Sequence, residues 1–141
     1  MKTRHCCLVL LVLLTAFLPV AAQRNMDSIR HVKPATIQYG TASFYADKFQ
    51  GRPTASGALF DQQKMTCAHN TLPFGTWVKV TNLRNKKSVV VKVTDRLHYK
   101  NKRLVDLSRA AATKLGYVKR GLTRVKVEVL KKKPKKVVNG E

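Results

Sequence analysis

Acidic side chains, cysteines and long apolar runs are all scarce in this chain, and each scarcity excludes something. Its 141 residues hold seven Asp and Glu against 28 Lys and Arg, a net charge of +21. So basic a surface has few internal counter-charges and seeks a polyanion outside itself. Of the three cysteines, Cys6 and Cys7 fall in the apolar run near the N-terminus, which leaves Cys67 alone. No internal disulfide is then available in an oxidising compartment, and the core must hold by packing. A nucleophilic Cys67 would need a histidine or an acid at a motif spacing, which the sequence does not supply. Between Thr66 and Ala68 it reads as a small buried side chain. The longest apolar run, Cys6 to Val20, falls short of the roughly 20 residues that cross a bilayer. His69, Asp95 and His98 match no metal-ligand spacing, so neither a metal nor a cofactor is expected. This length suits one compact domain, and no internal repeat interrupts it.

Lys2 and Arg4 precede the apolar run, and Val20, Ala21 and Ala22 close it with the small residues that signal peptidases accept. Residues 1–22 therefore read as a secretory signal. A lipid anchor would need a cysteine just after the run, where Gln23 stands instead. The expected product is an exported monomer of the periplasm or cell envelope, without lipid attachment or stable membrane insertion. Loss of Lys2 and Arg4 with the signal takes its net charge from +21 to +19. Export disfavours nucleic acid as the partner. It leaves the anionic membrane face, teichoic or lipid A phosphates, and glycan strands whose lactyl carboxylates are exposed by loss of peptide stems.

Residues 23–36 are polar and basic around Pro34 and read as a linker, while 131–141 open with five lysines around Pro134 and read as a disordered tail. Between them, 37–130 should form the ordered domain. Period-two alternation marks strands at Ile37 to Tyr45, Thr76 to Asn82, Ser88 to Asp95 and Thr123 to Leu130. In the last, Val125, Val127 and Val129 oppose Arg124, Lys126 and Glu128, the signature of a sheet with one wet face. Leu83 to Lys87 suits a hairpin loop. Ser108 as N-cap, the alanine-rich Arg109 to Leu115 and the stop at Gly116 define a helix, and Asp61 could cap a second helical turn over Gln62 to Cys67. Several strands with so little helix point to a small barrel, because closure removes exposed edges.

Along Ser88 to Asp95 the alternation places Asp95 on the side of Val89, Val91 and Val93. A carboxylate at the lip of a core is partly desolvated, which would keep a proton available for donation to a leaving oxygen. A turn residue binding local backbone fits the spacing equally well.

The chain resembles the rare lipoprotein A (RlpA) family. Gly40, Ala42, Ser43, Tyr45, Phe49, Gly51, Thr54, Ala55, Gly57 and Asp61 look like the opening of its domain. Ala68, His69, Thr71 to Pro73, Gly75, Thr76, Val78, Val80 to Leu83, Ser88 to Val91 and Val93 resemble its middle section. Asp95 and Arg96 fall on its Asn-Asp-Arg-Gly-Pro segment, and Asp106 to Ser108, Ala110 to Ala112, Leu115 and Gly116 on its Asp-Leu-Ser helix. The resemblance implies a mainly β fold, a six-stranded double-psi β-barrel with one or two short helices. It also implies an enzyme that cleaves peptidoglycan between N-acetylmuramic acid and N-acetylglucosamine without water, leaving 1,6-anhydro ends and acting on stem-free strands. Asp95 matches the catalytic aspartate and His69 the site histidine, expected to hydrogen-bond the acid or a sugar oxygen. Tyr45 and Arg96 are the further candidates for substrate binding, with Arg52, Lys79 and Lys100 as cations that could meet lactyl carboxylates.

The departures bear on activity. Where the family usually reads Thr-Ala-Asn-Gly-Glu, this chain reads Thr54, Ala55, Ser56, Gly57, Ala58, so a glutamate is replaced by a methyl. Leu97 and His98 replace the Gly-Pro, Thr94 replaces the Asn, and Phe44 stands where tryptophan is common. An expansin-like module that grips glycan without cutting it is therefore the alternative. A third reading is a basic envelope protein held by charge alone.

Overall fold

A computed structural model describes residues 36–134; the signal and the greater part of the linker and tail expected above lie outside the described residues. Six strands form: β1 (Ile37–Phe44), β2 (Thr66–Ala68), β3 (Trp77–Asn82), β4 (Ser88–Asp95), β5 (Val105–Leu107) and β6 (Thr123–Val129). They close into a barrel in the order β1-β5-β2-β4-β3-β6. The β3–β4 hairpin pairs Val80 with Val89 and Val78 with Val91, and β6 is sandwiched antiparallel between β1 and β3. The short strands make the two parallel pairings, β1 with β5 and β2 with β4.

The alternating valines read from sequence fill the interior. Val78, Val80, Val91, Val93, Val125 and Val127 are buried together with Leu72, Leu107 and Cys67. Burial pushes the Cys67 thiol well above its usual range, which withholds the thiolate a nucleophile requires. The helix α1 (Arg109–Leu115) is capped as expected: the Ser108 hydroxyl accepts from the Ala111 N–H, and Gly116 adopts φ 72°. Its face of Ala111, Ala112 and Leu115 closes one side of the barrel.

The second expected helix does not form. Asp61 does cap a turn, its carboxylate accepting the Gln63 N–H at 3.0 Å. From Thr66, however, the chain becomes β2, where Cys67 pairs with Val93 on one side and Leu107 on the other. A weak local turn preference loses to two flanking ladders and burial of Cys67. Neither β2 nor β5 is long enough to carry a periodic signal.

Gly40 is needed for a different reason from Gly116. A Cβ built on it would lie 2.5 Å from the Leu104 Cβ, on the segment that crosses β1 before β5. Backbone, not a mobile side-chain tip, would have to move. Gly40→Ala should therefore lower stability by about 1–3 kcal/mol in urea unfolding, the range for overpacked cores, with little change in the slope of the transition.

Candidate active site

Asp95 is the last residue of β4 and half-buried. Its Oδ2 accepts a hydrogen bond from the Tyr45 hydroxyl at 2.7 Å. Its Oδ1 accepts the backbone N–H groups of Ala55 and Arg96, each at 2.8 Å. The carboxyl group is thus held by three donors from three places: the end of β1, a surface loop and its own strand.

Each donor is itself fixed. The Tyr45 ring packs on Phe60 at 4.2 Å and edge-on to Phe49 at 5.8 Å. Burial, then the hydrogen bond to Asp95, push its phenol well above the ordinary tyrosine range, so it stays a donor. Ala55 lies in a tight loop in which the Thr54 N–H and hydroxyl both donate to the Ala58 carbonyl at 2.8 Å. Gly57, at φ 86°, turns that loop, and the Ser56 N–H ties it to the Thr94 carbonyl at 3.2 Å. Ala58 is exposed on this loop, three residues from the N–H that touches Asp95.

Among the described residues there are five carboxylates, and four are committed to cations. Asp47 pairs with Arg109, Asp61 with Lys64, Asp106 with Arg103 and Glu128 with Lys126. The Arg103–Asp106 contact is a two-pronged fork at 2.8 and 2.9 Å. Asp95 alone has no ion-pair partner.

The other expected site residues fall into two groups. Arg96 stays at the site: its guanidinium donates to the His69 carbonyl at 2.8 Å and lies 3.8 Å from the centre of the exposed Phe74 ring. Its charge is directed along the loop surface, not onto the Asp95 carboxylate. The His69 main chain also joins the site, donating to the Asp95 carbonyl at 3.0 Å. The imidazole does something else. Its Nδ1 accepts the Thr71 and Leu72 N–H groups at 3.3 Å, which places the proton on Nε2. That Nε2 is buried with no partner among the described residues. Burial, with the positive Arg96 nearby, holds the imidazole pKa down to about 4, so it is neutral at ordinary pH.

His98 is exposed, accepts from the Lys100 N–H and stacks on Tyr99. Lys79 projects from the outer face of β3, opposite Glu128 of β6, and Arg52 lies over the Phe49 ring. Two contributors had no side-chain signature in the sequence. The Ala55 donor is a backbone group, and Phe74 becomes notable only because Arg96 stacks on it. Phe74 also lines a groove of about 590 Å³ with Trp77 and the first tail lysines, Lys131, Lys132 and Lys133.

The lytic transglycolase family model matches residues 37–127, the whole of this barrel but for the end of β6. The chain belongs to the lytic transglycolase family. Curated relatives include the endolytic peptidoglycan transglycosylase RlpA of Pseudomonas aeruginosa strain UCBPP-PA14, 55% identical over 89 residues, 63% of this chain and 26% of that protein. The protein of the same name from Haemophilus influenzae is 46% identical over 94 residues, 67% of this chain and 33% of its own. The probable counterpart from Synechocystis is 44% identical over 120 residues, covering 85% and 37%. This family member thus spans between a quarter and two fifths of the length of such relatives. Two solved structures share its fold at 22% identity. They are the apo expansin of Clavibacter michiganensis, with a TM-score of 0.56 over 70% of this chain and 52% of that one, and a Streptomyces papain inhibitor, at 0.55 over 68% and 96%. The fold is the double-psi β-barrel.

Proposed function

We propose that this member of the lytic transglycolase family is an endolytic peptidoglycan transglycosylase of the cell envelope. It cleaves between N-acetylmuramic acid and N-acetylglucosamine without water and prefers strands stripped of stem peptides. The names of its relatives support peptidoglycan as the substrate. The observation that carries the reading is the state of Asp95: the one described carboxylate free of a cation, clamped by three donors at the edge of the barrel.

A hydrolase that uses a water needs two free carboxylates flanking the bond. Asp106, which with Asp95 raises the Tyr45 phenol, is locked in the Arg103 fork and unavailable for that part. One acid suffices for the internal reaction. Asp95 protonates the glycosidic oxygen as that bond breaks, and its carboxylate then accepts the proton of the muramic C6 hydroxyl as that oxygen bonds to the anomeric carbon. Protons balance, and Asp95 ends as it began. Tyr45 positions the acid. Arg96, over the Phe74 ring, keeps donors for a lactyl carboxylate, which a stem-free strand exposes. The groove of Phe74, Trp77 and three lysines suits further sugars of the same anionic strand.

Ala58 supports the second reading, an expansin-like binding module, because it removes a carboxylate from the loop beside Asp95. The test is to incubate the chain with intact and with stem-stripped peptidoglycan and to analyse the soluble products by mass spectrometry. 1,6-Anhydromuramic ends, more abundant from stripped glycan, are expected. Sedimentation with the glycan and no anhydro product would replace the enzyme with the binding module.

A further inference from the structure

At the other end of β4 from Asp95 lies a second cleft, of about 510 Å³, which the reaction above does not use. The seven steps from Ser88 to Asp95 put roughly 23 Å of strand between the two regions. Three arginines line the cleft from three separate segments: Arg84 on the β3–β4 turn, Arg120 at the end of the 3₁₀ turn Val118–Arg120, and Arg124 in β6. All three are exposed, and none enters an ion pair among the described residues. Leu83 and Leu122 complete the walls, and Leu122 is 50% exposed.

The convergence is built into the core. Asn82 is buried; its Oδ1 accepts the Arg84 N–H and the Thr123 hydroxyl, both at 3.0 Å, and its Nδ2 donates to the Leu115 carbonyl at 3.0 Å. The Leu83 N–H donates to the Arg124 carbonyl at 3.0 Å. One buried amide thus ties the turn bearing Arg84, the start of β6 bearing Arg124 and the end of α1, from which the chain leads to Arg120. The three arginines therefore line one cleft whose lining includes no carboxylate. Their forked donors match phosphate oxygens.

The surroundings indicate what carries that phosphate. On the outward face of β1, Tyr39 is 62% and Ile37 is 47% exposed, and Thr41 of the same face reaches the cleft. Across the ladder, Tyr39 faces Lys126 and Thr41 faces Arg124. Exposed aromatic and aliphatic groups interleaved with cations suit an interface that is charged at its surface and apolar beneath it, not a wholly polar polymer.

We propose that this cleft docks the phosphate headgroup of an anionic lipid, with Arg84, Arg120 and Arg124 on the phosphate and Leu83 and Leu122 against the adjoining apolar region. It would hold the barrel on a membrane face while Asp95, at the far end of β4, remains open to glycan. The site stands independently of the catalytic reading.

The experiment is co-sedimentation of the exported chain with phosphatidylcholine vesicles with and without phosphatidylglycerol, at physiological ionic strength. All variants share one N-terminus, so differences between them report the cleft. At roughly 1 kcal/mol per cation at a membrane surface, R84Q/R120Q/R124Q should weaken binding to anionic vesicles about 100-fold. The charge-matched control K48Q/K64Q/K92Q, at exposed lysines that do not line the cleft, should weaken it less than about 5-fold, since scattered surface charges are screened. Leu122→Ser should weaken vesicle binding while leaving affinity for inorganic polyphosphate unchanged. Equal losses from the two triple variants, or none from the arginine triple, would overturn the site in favour of general surface charge. Arginine-dependent binding of polyphosphate without vesicle binding would overturn the lipid and leave a phosphate polymer as the ligand.

Discussion

Asp95→Asn should abolish the release of 1,6-anhydromuramic products, by at least about 10³-fold in kcat, while glycan still co-sediments with the protein. The magnitude follows from the proposed mechanism, in which a single group serves as acid and then as base, each role worth roughly 10²-fold or more. The substitution is conservative for the fold. The Oδ1 of an asparagine retains the Ala55 and Arg96 N–H donors, and its amide can meet the Tyr45 hydroxyl, which also accepts. Stability should therefore fall by no more than about 1 kcal/mol. Turnover undiminished in this variant would remove Asp95 from the chemistry. An equal loss of binding and turnover would make it a substrate contact, with the reacting proton supplied elsewhere.

The second large effect is on stability against pH. The His69 imidazole is lowered from an ordinary 6.5 to about 4, by burial first and by Arg96 second. Above pH 6.5 the folded and unfolded states are both neutral at this residue, and its contribution is fully present. Between 6.5 and 4 the unfolded chain binds a proton that the folded chain refuses, so stability falls as the pH falls. The window corresponds to about 3 kcal/mol. His69→Asn keeps an oxygen to accept the Thr71 and Leu72 N–H groups but cannot titrate. Urea unfolding of both proteins at pH 7 and pH 4 should show the wild type losing about 3 kcal/mol more than the variant. Equal losses would mean that the imidazole is protonated in the folded state as readily as in water.

This titration also bears on the role of His69. The resemblance to the RlpA family led to the expectation that it would hold the acid or a sugar oxygen. The Asp95 oxygens are instead occupied by Tyr45, Ala55 and Arg96. The imidazole shapes the loop from His69 to Leu72, and its one unpartnered atom is the Nε2 donor. Tyr45, a candidate for substrate binding, donates its hydroxyl to Asp95 and packs its ring on Phe49 and Phe60. The Tyr45–Asp95 bond was not legible, because a hydrogen-bond partner some fifty residues away along the chain leaves no mark on local sequence.

The sequence by itself determined what depends on near neighbours. Period-two alternation placed β1, β3, β4 and β6, with valines marking the inward faces of the last three, because burial on a pleated strand has period two. Ser108 and Gly116 bounded α1, because capping acts within one turn. The match of Asp95, Arg96 and the Asp106–Ser108 segment to family motifs pointed to the family. Tertiary structure alone decided what depends on distant segments meeting. It made β2 from a stretch that begins as a capped turn, since ladders with β4 and β5 outweigh a three-residue preference. It brought the Ala55 N–H and the Tyr45 hydroxyl onto one carboxyl group, committed the other described acids to cations, and gathered Arg84, Arg120 and Arg124 around Asn82. Which charges remain free is a property of the folded surface, and composition can count those charges but cannot pair them.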